Sequence, residues 1–260
     1  MKRRNAGFAR LLVVGLCLGV TSCAPYPGAQ ISKEPDGSLR VHVQEAQSFN
    51  ALARYVYDDA QLGPALAELA GLDYAAGVPA ASTLVLPPKE VVRARAEATK
   101  RVSALAKDGE KAFARGDFEK AAEKYAKALE IRPERSDLLL DLGLAQMSTG
   151  DLDRAAATLD QAARARPNDP EARYGFASVL RSQGLLTRAR GEYEAALQAL
   201  VEGDTHPRAT YEYARTLEDL DETEKAVAVY RQFLYEFPAD PWAEDVRRRL
   251  DRLSPASSSP

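Results

Sequence analysis

The sequence predicts a mainly α protein: an α-solenoid of about four helix pairs with a C-terminal capping helix, preceded by a small βααβ module. Three observations carry this. Gly116, Gly150 and Gly184 stand 34 residues apart, as do Ala121, Ala155 and Ala189, and Ala128, Ala162 and Ala196. A fixed period of that length marks stacked units, none of which buries its apolar face alone. Nearer the start, two short alternating stretches, LRVHV and TLVLP, flank a pair of short amphipathic segments.

The chain opens on an export-type leader. Residues 2–10 are basic, residues 11–20 are apolar, and small residues precede Cys23. Ten apolar residues rise about 15 Å as a helix, roughly half a bilayer core, too short to span. Val20-Thr21-Ser22-Cys23 resembles a bacterial lipobox. The resemblance implies cleavage after residue 22 and acylation of Cys23, giving a membrane anchor of several acyl chains. Cys17 leaves with the leader, so the mature chain has no partner for a disulfide. Ala24 stands where lipoproteins retained at the inner membrane carry aspartate. This leans towards the periplasmic face of the outer membrane.

Charge narrows the function. Loss of Lys2, Arg3, Arg4 and Arg10 with the leader takes the formal charge from −3 to −7. A mildly acidic chain without a dense basic patch is a poor nucleic-acid binder.

Residues 23–38 hold three prolines and two glycines without periodicity and read as a flexible tether. Fifteen such residues span about 20 Å on average. The module occupies residues 39–88. LRVHV is its first strand. Ser48 caps a helix whose inner face is Phe49, Leu52, Ala53 and Val56. A second short helix turns Leu62, Leu66, Leu69 and Ala70 inward and stops at Gly71. TLVLP is the second strand, ended by Pro87-Pro88.

Val41, Val43, Ser48, Leu52-Ala53, Tyr57, Leu66, Leu69, Gly71-Leu72, Pro79 and Leu84-Val85-Leu86-Pro87 together resemble a LysM domain. The resemblance implies binding of N-acetylglucosamine-containing glycans such as peptidoglycan, with Gln47, Ser48, Ala70 and Gly71 bordering the groove. The family's Gly-Asp-Thr is Ala46-Gln47-Ser48 here, and its asparagine after the second helix is Ala70. A spacer that only positions the C-terminal part of the chain is the other reading.

Residues 89–101 contain no breaker and predict one helix running into the first repeat. The six Lys and Arg between 89 and 107 read as a solvated face, the alternative being a contact to an anionic polymer or lipid headgroup. The repeats are residues 102–135, 136–169, 170–203 and, after a three-residue insertion, 207–240. Small residues at 109, 143, 121, 155, 189 and 226 let paired helices approach. Tyr125, Leu159, Tyr193 and Tyr230 fill the space between units. Pro133, Pro167 and Pro238 end the second helix of a pair. Residues 241–253 supply a cap through Trp242, Val246, Leu250 and Leu253, and residues 254–260 read as a disordered tail.

This pattern resembles the tetratricopeptide repeat (TPR). The resemblance implies a groove lined by the first helix of each pair. Matching positions here include Phe113, Leu140, Leu144, Met147, Tyr174, Arg181, Tyr211 and Arg215. Tyr174 and Tyr211 recur at one position of consecutive units and suit an extended or helical peptide. Arg181 and Arg215 suit a ligand carboxylate. The asparagine-dependent C-terminal carboxylate clamp of some members is absent: Glu110, Leu144, Ser178 and Arg215 occupy that position.

No catalytic motif is present: no HExxH, CxxC pair, GxxxxGK[ST] or GxSxG. His42 and His206 are far apart in sequence and lack neighbours at ligand spacing. No catalytic residue, metal site or cofactor is expected. The reading is a non-enzymatic cell-envelope lipoprotein that binds a protein partner through its repeats, with peptidoglycan as the ligand that the LysM resemblance implies for its module. The alternative is a pilotin-like or outer-membrane assembly factor whose module is only a spacer.

Overall fold

The computed structural model describes residues 29–199 and 207–253. The leader, Cys23, His206 and the tail lie outside the described residues. The chain forms two compact units, residues 1–96 and 97–260.

The first unit contains a three-stranded antiparallel sheet in the order β1 (Ala29–Lys33), β2 (Leu39–Val43), β3 (Ser82–Leu86). The sequence reading assigned residues 29–33 to the tether, and this is corrected. Glu34-Pro35-Asp36-Gly37 is a turn in which the Gly37 amide donates to the Glu34 carbonyl at 3.0 Å. Proline at its second position and Gly37 at a φ of 83° suit that turn. It folds β1 back onto β2, aligning Ile31 with Val41 and Lys33 with Leu39. The signal was weak because AQISK carries one large apolar side chain.

Val41, Val43 and Leu86 point from the sheet onto helices α1 (Phe49–Tyr57) and α2 (Gly63–Ala70), which are joined by a 3-10 turn, Ala60–Leu62. Ser48 caps α1 by accepting from the Ala51 amide at 3.2 Å. The inward face of α2 is Leu62, Ala65, Leu66 and Ala67. Leu69, expected inside, is 38% exposed, and Ala70 is half-buried. The first turn of α2 abuts α1 so closely that a Cβ on Gly63 would lie 2.8 Å from the Asn50 amide nitrogen. Tyr57 closes the core, its hydroxyl donating to the Pro87 carbonyl. Burial raises that phenol to about 12.

The second unit is a run of antiparallel helix pairs. Its first helix is the end of α3 (Lys89–Ala114). The pairs are α3 with α4 (Phe118–Ile131), α5 (Ser136–Ser148) with α6 (Leu152–Ala165), α7 (Pro170–Ser182) with α8 (Leu186–Ala199), and α9 (Pro207–Asp219) with α10 (Thr223–Glu236). Helix α11 (Ala243–Leu253) closes the run. Gly116, Gly150 and Gly184 turn each of the first three pairs at φ of 78°, 82° and 77°, and Asp221 does so in the fourth at 60°.

Ala121, Ala155, Ala189 and Ala226 are fully buried, as small residues at a helix crossing must be. Tyr125, Leu159, Tyr193 and Tyr230 fill the adjoining space. Burial pushes the Tyr193 and Tyr230 phenols well above the usual range. Each cluster joins neighbouring pairs: Leu159 and Tyr193 meet Phe176 and Leu180, with Leu140 and Met147 packed alongside.

Candidate functional site

Helix α5 touches α7, and α7 touches α9, so the first helices of successive pairs line one side of the array. The residues expected to line it fall into separate clusters. Leu140, Met147 and Tyr174 sit together, half-buried, against Leu159, Phe176 and Tyr193. Leu144 is half-buried beside them; a Cβ on Gly175 would lie 3.3 Å from Leu140 and 3.6 Å from Leu144. The Tyr174 ring is 5.9 Å from Tyr193, and the Arg208 guanidinium lies 5.8 Å from its centroid. Phe113 belongs to the first pair, edge-on to Phe118 at 5.1 Å.

Tyr211 is a different case. It is 6% exposed and lies under the cap, with its ring stacked on Trp242 at 5.4 Å and 5°. Its hydroxyl donates to Asp245 at 2.6 Å, and Arg215 and Arg249 sit 5.6 and 6.0 Å from its centroid. The expected row of exposed tyrosines is therefore broken: Tyr174 is accessible and Tyr211 is interior. Thirty-four residues past Tyr211, the cap supplies an aspartate rather than a gap.

The two arginines already hold carboxylates. Arg181 donates to Asp219 at 2.6 Å and lies 3.5 Å from Glu212; Arg215 lies 3.5 Å from the same Glu212. The Nε of each is buried without an acceptor. Glu212 and Asp219 were missed by sequence reasoning. The only signal was the i, i+3 spacing of Glu212 and Arg215.

The second pair holds one carboxyl whose pKa is raised. Asp141 on α5 is pushed up to about 6, first by burial, then by Asp137 and Glu110; Arg166 and Arg135 oppose this. A carboxylate with a raised pKa is penalised when ionised. The penalty is absent below pH 3.8, grows to about pH 6 and is complete above it. Asp141→Asn is therefore expected to stabilise the array by about 1–2 kcal/mol at pH 7, discounted for partial exposure, and not at all near pH 4. Urea melts at the two pH values check this, and an Asn variant that is no more stable at pH 7 refutes it.

In the first unit, the Gln47 backbone bridges Val78, with Gln47 N–H to Val78 O at 3.1 Å and the reverse bond at 2.8 Å. Both atoms of the Gln47 amide are buried without a partner. The Ser48 hydroxyl is committed to capping α1. Gly71 is exposed and takes the left-handed conformation that ends α2. Tyr74, which was not singled out from sequence, is 44% exposed and stacks on Phe49 at 6.5 Å. His42 is exposed, its Nδ1 lying 3.0 Å from the Thr83 hydroxyl. Among the described residues, no three His, Cys, Asp or Glu converge as metal ligands, and no helix is long and apolar enough to cross a membrane.

No curated protein matches the chain. Among solved structures, MamA 41-end from Desulfovibrio magneticus RS-1 is 20% identical with a TM-score of 0.53, covering 59% of this chain and 84% of that one. A tetratricopeptide repeat protein from Parabacteroides merdae is 19% identical at 0.52, covering 60% of this chain and 61% of that one. A Thermobaculum terrenum O-GlcNAc transferase mutant is 21% identical at 0.50, covering 54% of this chain but 27% of its own. At such identities the likeness is one of fold. Two tetratricopeptide-repeat family profiles match residues 112–179 and 174–241. Together they take in half of the sequence, and the chain belongs to the tetratricopeptide-repeat family.

Proposed function

We propose that this chain is a non-enzymatic cell-envelope scaffold, anchored by lipid at Cys23, that holds a protein partner against the first helices of its repeats. The observation that carries the partner reading is the half-exposed surface of Leu144, Met147 and Tyr174 on consecutive first helices, flanked by Arg181 and Arg208. An apolar, aromatic strip with polar walls suits a peptide or helix. The anchor and the envelope location rest on Val20-Thr21-Ser22-Cys23. Contact with peptidoglycan rests on the LysM resemblance and on the Gln47 amide, whose buried donor and acceptor have no partner among the described residues.

A photo-crosslinking amino acid at Tyr174 tests the partner reading in cells. Discrete adducts are expected there, and none from the same residue placed at Tyr235, which is 88% exposed on α10. An identical pattern at both positions counts against the groove. In parallel, the full chain is expected to sediment with purified sacculi, and Gln47→Ala to remain in the supernatant. If neither sediments, the module is a spacer and the pilotin-like or assembly-factor reading gains.

A further inference from the structure

A cleft of about 260 Å³ opens at the first pair, between the end of α3 and the start of α4. Lys111, Arg115, Lys120 and Lys124 line it, with Asp108 and Asp117 as its only carboxylates. Lys111 lies 3.6 Å from Asp108. Among the described residues Arg115, Lys120 and Lys124 form no ion pair. Glu123 on α4 is hydrogen-bonded to Lys127, and Lys124 and Lys120 act on it only through their weaker, longer-range field. Lys120 and Lys124 are like charges four residues apart on α4, an arrangement that costs a helix stability.

The repeats provide an internal control. The four positions are Lys111, Arg115, Lys120 and Lys124 in the first unit and Ala145, Thr149, Arg154 and Thr158 in the second. They are Val179, Gln183, Arg188 and Glu192 in the third, and Thr216, Leu220, Lys225 and Val229 in the fourth. Only the third position stays cationic. In the second and fourth units that cation is neutralised locally, Arg154 by Asp151 at 2.5 Å and Lys225 by Glu222 at 2.6 Å. The equivalent Asp117 forms no such pair with Lys120.

A terminal unit must be polar on its open face to stay soluble. That requirement does not ask for one sign. Helix α11, at the other end, meets it with both signs interleaved, Arg248 lying 3.0 Å from Asp245 and 3.7 Å from Glu244. The excess of cations in the first unit is therefore a separate feature.

We infer that this cleft binds a phosphate-bearing anion. The lining carries two more cations than carboxylates, which matches a dianion, and Arg115 beside three lysines supplies forked and point-charge donors suited to phosphate oxygens. The site is independent of the partner strip on α5 and α7, so either reading survives failure of the other. Two sources carry this chemistry, a free phosphate compound and a phospholipid headgroup.

The test uses the full chain bearing Cys23→Ala, so that vesicle binding cannot come from an acyl anchor. Calorimetric titration with inorganic pyrophosphate is expected to saturate, to weaken as salt is raised, and to weaken by about tenfold or more in Lys120→Gln/Lys124→Gln. The control Arg154→Gln/Lys225→Gln is expected to bind like the parent. Flotation with phosphatidylcholine vesicles, with and without phosphatidylglycerol, separates the sources: lysine-dependent flotation only with phosphatidylglycerol identifies a headgroup, and pyrophosphate binding without flotation identifies a free compound. Coincident thermal melts of parent and variants establish that the fold is intact. Absence of saturable binding to both probes, or binding unaffected by the lysine substitutions, overturns the site.

Discussion

Tyr211→Ala is expected to destabilise the C-terminal repeat by about 3–5 kcal/mol, the range for removing a buried aromatic ring from a core. The ring contacts Trp242 and lies 6.2 Å from Phe233, and its hydroxyl holds Asp245. Truncation opens a cavity and removes one donor from a linked set. Arg249 also donates to Asp245 at 2.6 Å and reaches Glu218 at 2.8 Å, and Glu218 accepts from Tyr230. Stability in a stacked array is nearly a sum of units and interfaces, so the loss is local. Trp242 is the only tryptophan in the chain and stands on the affected ring, which makes its fluorescence the readout. A fall in the urea midpoint of over about 1 M is expected for this transition. Tyr174→Ala, at a half-buried position of the preceding unit, is expected to move the Trp242 transition little. Equal shifts from both substitutions would mean that Tyr211 is not the core residue its burial makes it.

Gly143→Ala sets two effects against each other. Alanine favours a helix over glycine by about 1 kcal/mol. A Cβ at Gly143, however, would lie 2.4 Å from Leu159 Cγ and 2.7 Å from its Cδ2. Leu159 is fully buried and also faces α7, where a Cβ on Gly175 would lie 3.1 Å from it. The leucine is therefore held from both sides, by α5 and by α7. Overpacking costs about 1–3 kcal/mol, occasionally more, so the clash outweighs the propensity gain. Net destabilisation is expected, with recovery when Leu159→Val is added. Gly191→Ala in α8 is the counterpart. It is exposed, with nothing within 4 Å of a new Cβ, and is expected to stabilise by about 0.5–1 kcal/mol. Denaturant melts of the two variants should shift in opposite directions. A stabilised Gly143→Ala would show that the α5–α6 crossing is looser than the structure has it.

The helix pairs were legible because their determinants are local. A glycine at positive φ, a proline that ends a helix and a small residue at a crossing each act within a few residues of themselves. Repetition then multiplies a weak signal: one alanine means little, and Ala121, Ala155 and Ala189 in register mean a great deal. The β1 hairpin was hidden for the opposite reason. AQISK occurs once, with only Ile31 large and apolar, and becomes a strand because β2 offers it an edge.

Exposure within the strip was less legible. Tyr174 and Tyr211 occupy the same position of their units, yet one is accessible and the other interior. What separates them is the next helix: α11 brings Trp242 and Asp245 onto Tyr211. Likewise Arg181 looked available for a ligand until α9 placed Glu212 and Asp219 beside it. Thus the sequence alone determined the period, the paired helices and where each one stops, since backbone conformation and periodicity are set by near neighbours. Tertiary structure alone decided that Tyr211 is covered and Arg181 is paired, because Trp242 and Asp245, and Glu212 and Asp219, lie more than thirty residues away along the chain.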